Sequence, residues 1–144
     1  MPALADELKQ VPLFSGLGQR QLRRLARDFK ACDFRAGATP LRQGHMSGVG
    51  FFVIREGEAS VCVDGAELTR LGPGDHFGEL GLISERARTA TVTAETPLRC
   101  LKLAEWTFRR FVKDSPDVAW KLLVHVVDLL VERESRGVTA ASDG

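Results

Sequence analysis

The sequence predicts an α+β protein that is mainly β, an antiparallel barrel or jelly roll flanked by N-terminal helices and two C-terminal helices. Three observations lead there. The first thirty residues and the stretch after Ala104 carry helical periodicity, while Lys30 to Leu103 is built of short apolar runs separated by Gly, Pro and Asp. Short strands at close, regular spacing suit a closed or doubled antiparallel sheet. Asp114-Ser115-Pro116-Asp117 then cuts the final helical stretch in two.

In the N-terminal region, Gln19 to Phe29 places Leu22, Leu25, Ala26 and Phe29 on one face and Arg20, Arg23, Arg24 and Arg27 on the other. The chain is otherwise balanced in charge, so the arginines are expected to form a solvated face. In the central region, FFVIREGEASVCV breaks at Glu56-Gly57 and VDGAEL breaks at Asp64-Gly65; both predict hairpins. AEWTFRRFVKD reads as a short helix. Ser115 then suits a cap, Pro116 the first helical position and Asp117 the positive end of the dipole. The helix that follows runs to about Glu134, and its apolar residues cover well over half its circumference. One apolar face serves the chain's own core; the surplus calls for another surface. SRGVTAASDG reads as a frayed end. The organisation is therefore one domain over 1–134 with a flexible tail over 135–144.

At 144 residues, 44% hydrophobic and 27% charged, the chain has enough apolar mass for one core. A formal net charge of +1 provides no general field for nucleic acid or an anionic membrane, so any anion must be held by a local site. The three cysteines, Cys32, Cys62 and Cys100, show no CxxC spacing and read as buried thiols in a reducing compartment. The N-terminus lacks the apolar core of a signal peptide and no run is long enough to span a bilayer, so a cytoplasmic location is the expectation.

The segment with the densest chemistry is FGELGLISERARTATV, residues 77–92. Gly78 permits a tight approach of the backbone to a ligand. A single helical turn over Glu79 to Ser84 would point unpaired amides outward, a site for phosphate. Arg88 can add a bidentate, charge-assisted contact to the same group. Glu79 would repel a phosphate but can accept a proton from a sugar hydroxyl. The set suits a compact sugar phosphate. A second reading stays open on spacing alone: Glu79 and Arg88 could pair with each other on the surface.

FGEL-GL-x5-R-TATV-x-A resembles the phosphate-binding cassette of cyclic-nucleotide-binding domains. The resemblance extends to VPLFSGL, to GATPLRQGHMSGVGFFVIREGEASVCVDG and to LGPGDHFGE, and so to roughly residues 11–134. It implies a small antiparallel β-roll that senses rather than catalyses, as in the catabolite activator and the protein kinase A regulatory subunit. Carried over residue by residue, Glu79 would hold the ribose 2′-hydroxyl and Arg88 the cyclic phosphate. Backbone at Gly78, Leu80, Gly81 and Thr89 would add amide contacts. Ala87 stands where the family has proline and Gly81 where it has alanine; neither removes a binding group. Thr89 is associated in the family with cGMP, yet cAMP-binding relatives also carry Ser or Thr there. The expected ligand is cAMP, with cGMP as the alternative. The resemblance also implies a lid over the purine from the last helix, for which Trp120, Val124, Val127 and Val131 are candidates. On ligand binding Leu80 and Leu82 would repack and the two C-terminal helices would swing toward the roll.

Other residues read as structural. His45 suits a turn and His125 the packing or dimer surface of the last helix; His76 and Glu79 alone are too few for a metal. Without a His-x-His pair, a cupin-type metal enzyme is the weaker alternative, and a degenerate domain serving only protein interaction is another. Ser47 and Ser84 sit in no nucleophile motif. Trp106 and Trp120 are expected to anchor the core. The residues after Glu134 are too few for an effector domain. The last helix is therefore expected to form a homodimer or dock on a partner, unless the chain is one domain of a larger protein.

Overall fold

The computed structural model describes residues 4–42, 50–78 and 90–135, and only the backbone at Arg133. In chain order these form α1 (Leu4–Lys9), a 3-10 turn (Pro12–Phe14), α2 (Gln19–Asp28), β1 (Lys30–Phe34), β2 (Gly50–Glu56), β3 (Ala59–Val63), β4 (Ala66–Leu71), β5 (His76–Phe77), β6 (Thr91–Ala94), β7 (Leu98–Ala104), α3 (Glu105–Asp114) and α4 (Pro116–Ser135). One sheet has the order β1-β7-β2-β5 and the other β4-β3-β6. Each pairing is antiparallel. This is the α+β roll with flanking helices that the sequence predicts. Among the described residues no helix is long and apolar enough to cross a membrane.

Of the two expected hairpins, one forms. Val63 pairs with Ala66 across Asp64-Gly65, whose φ angles of 53° and 83° match the mirror-image turn that suits strand twist. The break at Glu56-Gly57 is no hairpin. There β2 ends in the first sheet and β3 begins in the second. A second crossing, from β6 to β7, runs beside it: Glu95 and Thr96 donate their amides to Glu58 O, and Glu58 N donates to Thr96 Oγ1. Each crossing satisfies the other's backbone, so neither needs the strand it leaves.

Two apolar clusters share strand β2. Phe51 and Val53 face the helices, packing with Phe14, Leu22, Leu25, Leu103, Phe108, Val118 and Leu122. Phe52 and Ile54 face the interior of the roll, with Leu41, Phe77, Val92, Leu98 and Cys100. Strand β2 is therefore buried on both faces, which accounts for its unbroken run of large apolar residues.

The expectation for the tryptophans is corrected: Trp106 is 72% exposed and Trp120 65%. Helix phase is the reason. In α3 the inward residue is Phe108, and two positions away Trp106 lies on the far side. In α4 the inward pair is Val118 and Leu122, with Trp120 between them pointing outward. The cysteines differ too. Cys100 is buried, while Cys32 and Cys62 are half-buried. Helix α4 starts at Pro116 as predicted, with the Ser115 carbonyl accepting the Ala119 amide at 3.0 Å.

Candidate functional site

The approach to the segment of interest is built on β2. Leu71 to Asp75 fold back as a tight turn in which Gly72 N donates to Asp75 Oδ2 at 2.8 Å. The turn is fastened to the sheet by Ile54 N donating to Asp75 O (2.9 Å) and Gly74 N donating to Ile54 O (2.8 Å). Short strand β5 follows, with Val53 opposite His76 and Phe52 opposite Phe77. The Phe77 ring enters the roll and stacks on Phe52 with centroids 4.9 Å apart.

Gly78 comes next, with φ of +99°. A β-carbon there would run into the carbonyl oxygen of Gly50 at the start of β2. Only glycine fits both the left-handed backbone and the close approach. The LGPGDHFG run is thus a device that clamps the chain to the edge of the first sheet at residue 78. The chain is next described at Ala90, before β6 of the second sheet, where Thr91 lies opposite Cys62.

Of the candidate ligand-binding residues, Gly78 is described. Glu79, Leu80, Gly81, Arg88 and Thr89 lie outside the described residues, as do Leu82, Ala87, His45, Ser47 and Ser84. The candidate lid residues Trp120, Val124, Val127 and Val131 follow one another at spacings of four, three and four along α4. All are exposed, Val124 least at 44%. Leu123 and Leu130 are exposed beside them.

An aromatic chain ties the helices to the roll beside Gly78. Phe51 stacks on Phe108 of α3 at 4.6 Å between centroids. It also meets His76 at 5.2 Å, and His76 in turn meets His125 of α4 at 4.9 Å. The sequence gives His125 to either the packing or the dimer surface of the last helix, and this contact is a packing one, with His76 as the partner. The contact had no signal in the sequence, because residues 76 and 125 are joined only by folding. The same holds for Gly50, which is invisible as the mate of Gly78. Among the described residues no three His, Cys, Asp or Glu side chains are grouped to hold a metal. A cavity of about 340 Å³ between α2 and α3, bordered by Gln21, Arg24, Leu25, Arg110, Phe111 and Asp114, does not include Gly78 or the lid candidates.

Comparison with known proteins points the same way. A family model for the cyclic nucleotide-binding domain matches residues 31–115. The cAMP-dependent protein kinase regulatory subunit of Schizosaccharomyces pombe is 37% identical over 112 residues, which cover 77% of this chain and 27% of that protein. A cyclic nucleotide-gated potassium channel of Mesorhizobium japonicum is 39% identical over 109 residues, covering 76% and 30%. The chain thus spans less than a third of the length of these curated relatives. Among solved structures, cAMP-bound PfPKA-R superposes with a TM-score of 0.86 over 94% of this chain and 47% of that one. At 23% identity that likeness concerns the fold.

Proposed function

Because the chain belongs to the cyclic-nucleotide-binding domain family, a non-catalytic family, we propose that it is a regulatory domain whose ligand is cAMP. The observation that carries this reading is that the family match, residues 31–115, runs through the whole segment 77–92. In this reading Arg88 forks onto the cyclic phosphate, Glu79 accepts from the ribose 2′-hydroxyl, and backbone amides at Gly78, Leu80, Gly81 and Thr89 complete the phosphate cradle. Trp120, Val124 and Val127 cover the purine. The clamp at Gly78 supports it, since it gives the segment a fixed point of departure on a buried strand. No general positive field is needed, because the phosphate is captured locally.

Binding moves an equilibrium between two placements of α3 and α4 only to the extent that the nucleotide prefers one. The Phe51–Phe108 and Phe51–His76–His125 contacts are where the helices are read by the roll. The relatives include a kinase regulator and a channel, so ligand and effector are separable in this family. The output of this chain is assigned to the exposed face of α4, through pairing with a second copy.

Isothermal titration of the purified chain with cAMP and with cGMP tests the assignment. Heat with cAMP is expected, and Arg88→Ala should remove it, since truncating one partner of a desolvated charge pair costs on the order of 2–5 kcal/mol. Arg88→Lys should also bind poorly, because the planar fork is lost. Heat with cGMP alone would reassign the ligand through Thr89. No heat with either nucleotide would leave a domain that works by protein contact.

A further inference from the structure

We propose that Cys32 and Cys100 are a redox-active cross-strand pair, which a low-molecular-weight disulfide converts to an intramolecular Cys32–Cys100 disulfide that staples β1 to β7. Cys32 lies directly opposite Cys100 in the antiparallel ladder of β1 and β7. Directly opposed residues send their side chains to the same face. Both do so here: Cys100 belongs to the apolar cluster inside the roll, and Cys32 packs against that cluster, as does Phe34 two residues on. Opposed residues in such a ladder have Cα atoms about 4.5–5.5 Å apart, within the roughly 4.4–6.8 Å span of disulfides. Both thiols are free.

The two thiols are unequal. Cys32 is half-buried and open to reagents, whereas Cys100 is 1% exposed. Burial first, then the neighbouring Cys32 and Asp33, push the Cys100 thiol up to about 12. Cys100 is thus nearly inert toward solutes, and its accessible reaction is with the sulfur across the ladder. Cys62 is the internal control: it lies in the other sheet, opposite Glu67 and Thr91.

The chemistry closes with oxidised glutathione. The Cys32 thiolate attacks one of its sulfurs, forming a mixed disulfide and releasing one glutathione. Cys100 attacks the Cys32 sulfur as its proton passes to the departing glutathione thiolate, which leaves as the second reduced glutathione. Two protein sulfurs are oxidised and two glutathione sulfurs reduced. Strand β1 has β7 as its neighbour at the edge of the first sheet, so the bond pins that edge. It also closes a long loop, which restricts the unfolded chain.

The full chain is incubated with oxidised glutathione under native conditions, quenched in acid, alkylated in denaturant and mapped by mass spectrometry. The expected product has lost about 2 Da, carries one alkylated cysteine, Cys62, and yields a peptide cross-linked between Cys32 and Cys100. Its Tm should exceed that of the reduced chain by roughly 5 °C or more, reversed by dithiothreitol. Cys62→Ala should behave as the unmodified sequence, Cys100→Ser should stop at glutathionylated Cys32, and Cys32→Ser, at a half-buried position, should yield no cross-link. Three alkylated cysteines, a mixed disulfide persisting on Cys32 in the unsubstituted chain, or a bond to Cys62 each overturns the assignment. A cross-link without a rise in Tm overturns the staple.

Discussion

Gly78 shows how much one residue can constrain. Its φ of +99° is costly for any side chain, and a β-carbon would also meet the Gly50 carbonyl, which is backbone and cannot rotate away. Gly78→Ala should therefore destabilise the fold by about 1–3 kcal/mol and weaken cAMP binding by displacing the residue that leads into Glu79. Thermal unfolding and titration read the two effects separately. An unchanged Tm with unchanged affinity would mean that the clamp does not position the segment. That Gly78 serves a close approach was legible in the sequence, although the approach it suggested was to a ligand. Its mate Gly50 was not, because the contact crosses the sheet. The tryptophans show the opposite limit. Size suggested burial, but a side chain's angle around its helix decided otherwise.

At the scale of elements, α4 presents two apolar stripes with different duties. Val118 and Leu122, one turn apart, are buried against the roll, while Trp120, Val124, Val127 and Val131 face outward. Leu122→Ala should cost about 2–5 kcal/mol by opening a cavity beneath the helix. Trp120→Ala should change stability by less than about 0.5 kcal/mol yet, on the proposed reading of Trp120 as a lid residue, lower cAMP affinity. Denaturant unfolding and titration of both variants make the comparison; an equal loss of stability would refute the division. The surplus of apolar residues was readable before folding. The assignment of stripes was not, because periodicity fixes relative positions around a helix and not which one faces the core. The break at Glu56-Gly57 carried the same ambiguity. A Gly between two apolar runs marks a change of direction equally well for a hairpin and for a crossing between sheets, and only the partner strands distinguish them.

Across the whole molecule, the proposed reading asks three things of one helix: to close the core, to cover a ligand and to meet a second copy. Val118 and Leu122 perform the first and are not available for the others. The outward residues Trp120, Leu123, Val127 and Leu130 recur at three, four and three, the spacing of a two-stranded seam with leucine at alternate positions. That seam shares Trp120 and Val127 with the proposed lid. A side chain laid on a purine cannot also sit between two helices, so on this reading ligand binding and self-association would be coupled, and the coupling would be reciprocal. Sedimentation velocity over a range of protein concentrations should show a reversible dimer that Val127→Glu abolishes. Saturating cAMP should shift the dimerisation constant toward monomer by at least about fivefold. The apparent cAMP affinity should fall as protein concentration rises, in the limit by about the square root of that factor per site, because each dimer carries two sites. A dimer indifferent to cAMP would place the seam on Leu123 and Leu130 without the lid residues, and a monomer at all concentrations would remove the second copy as the receiver of the signal.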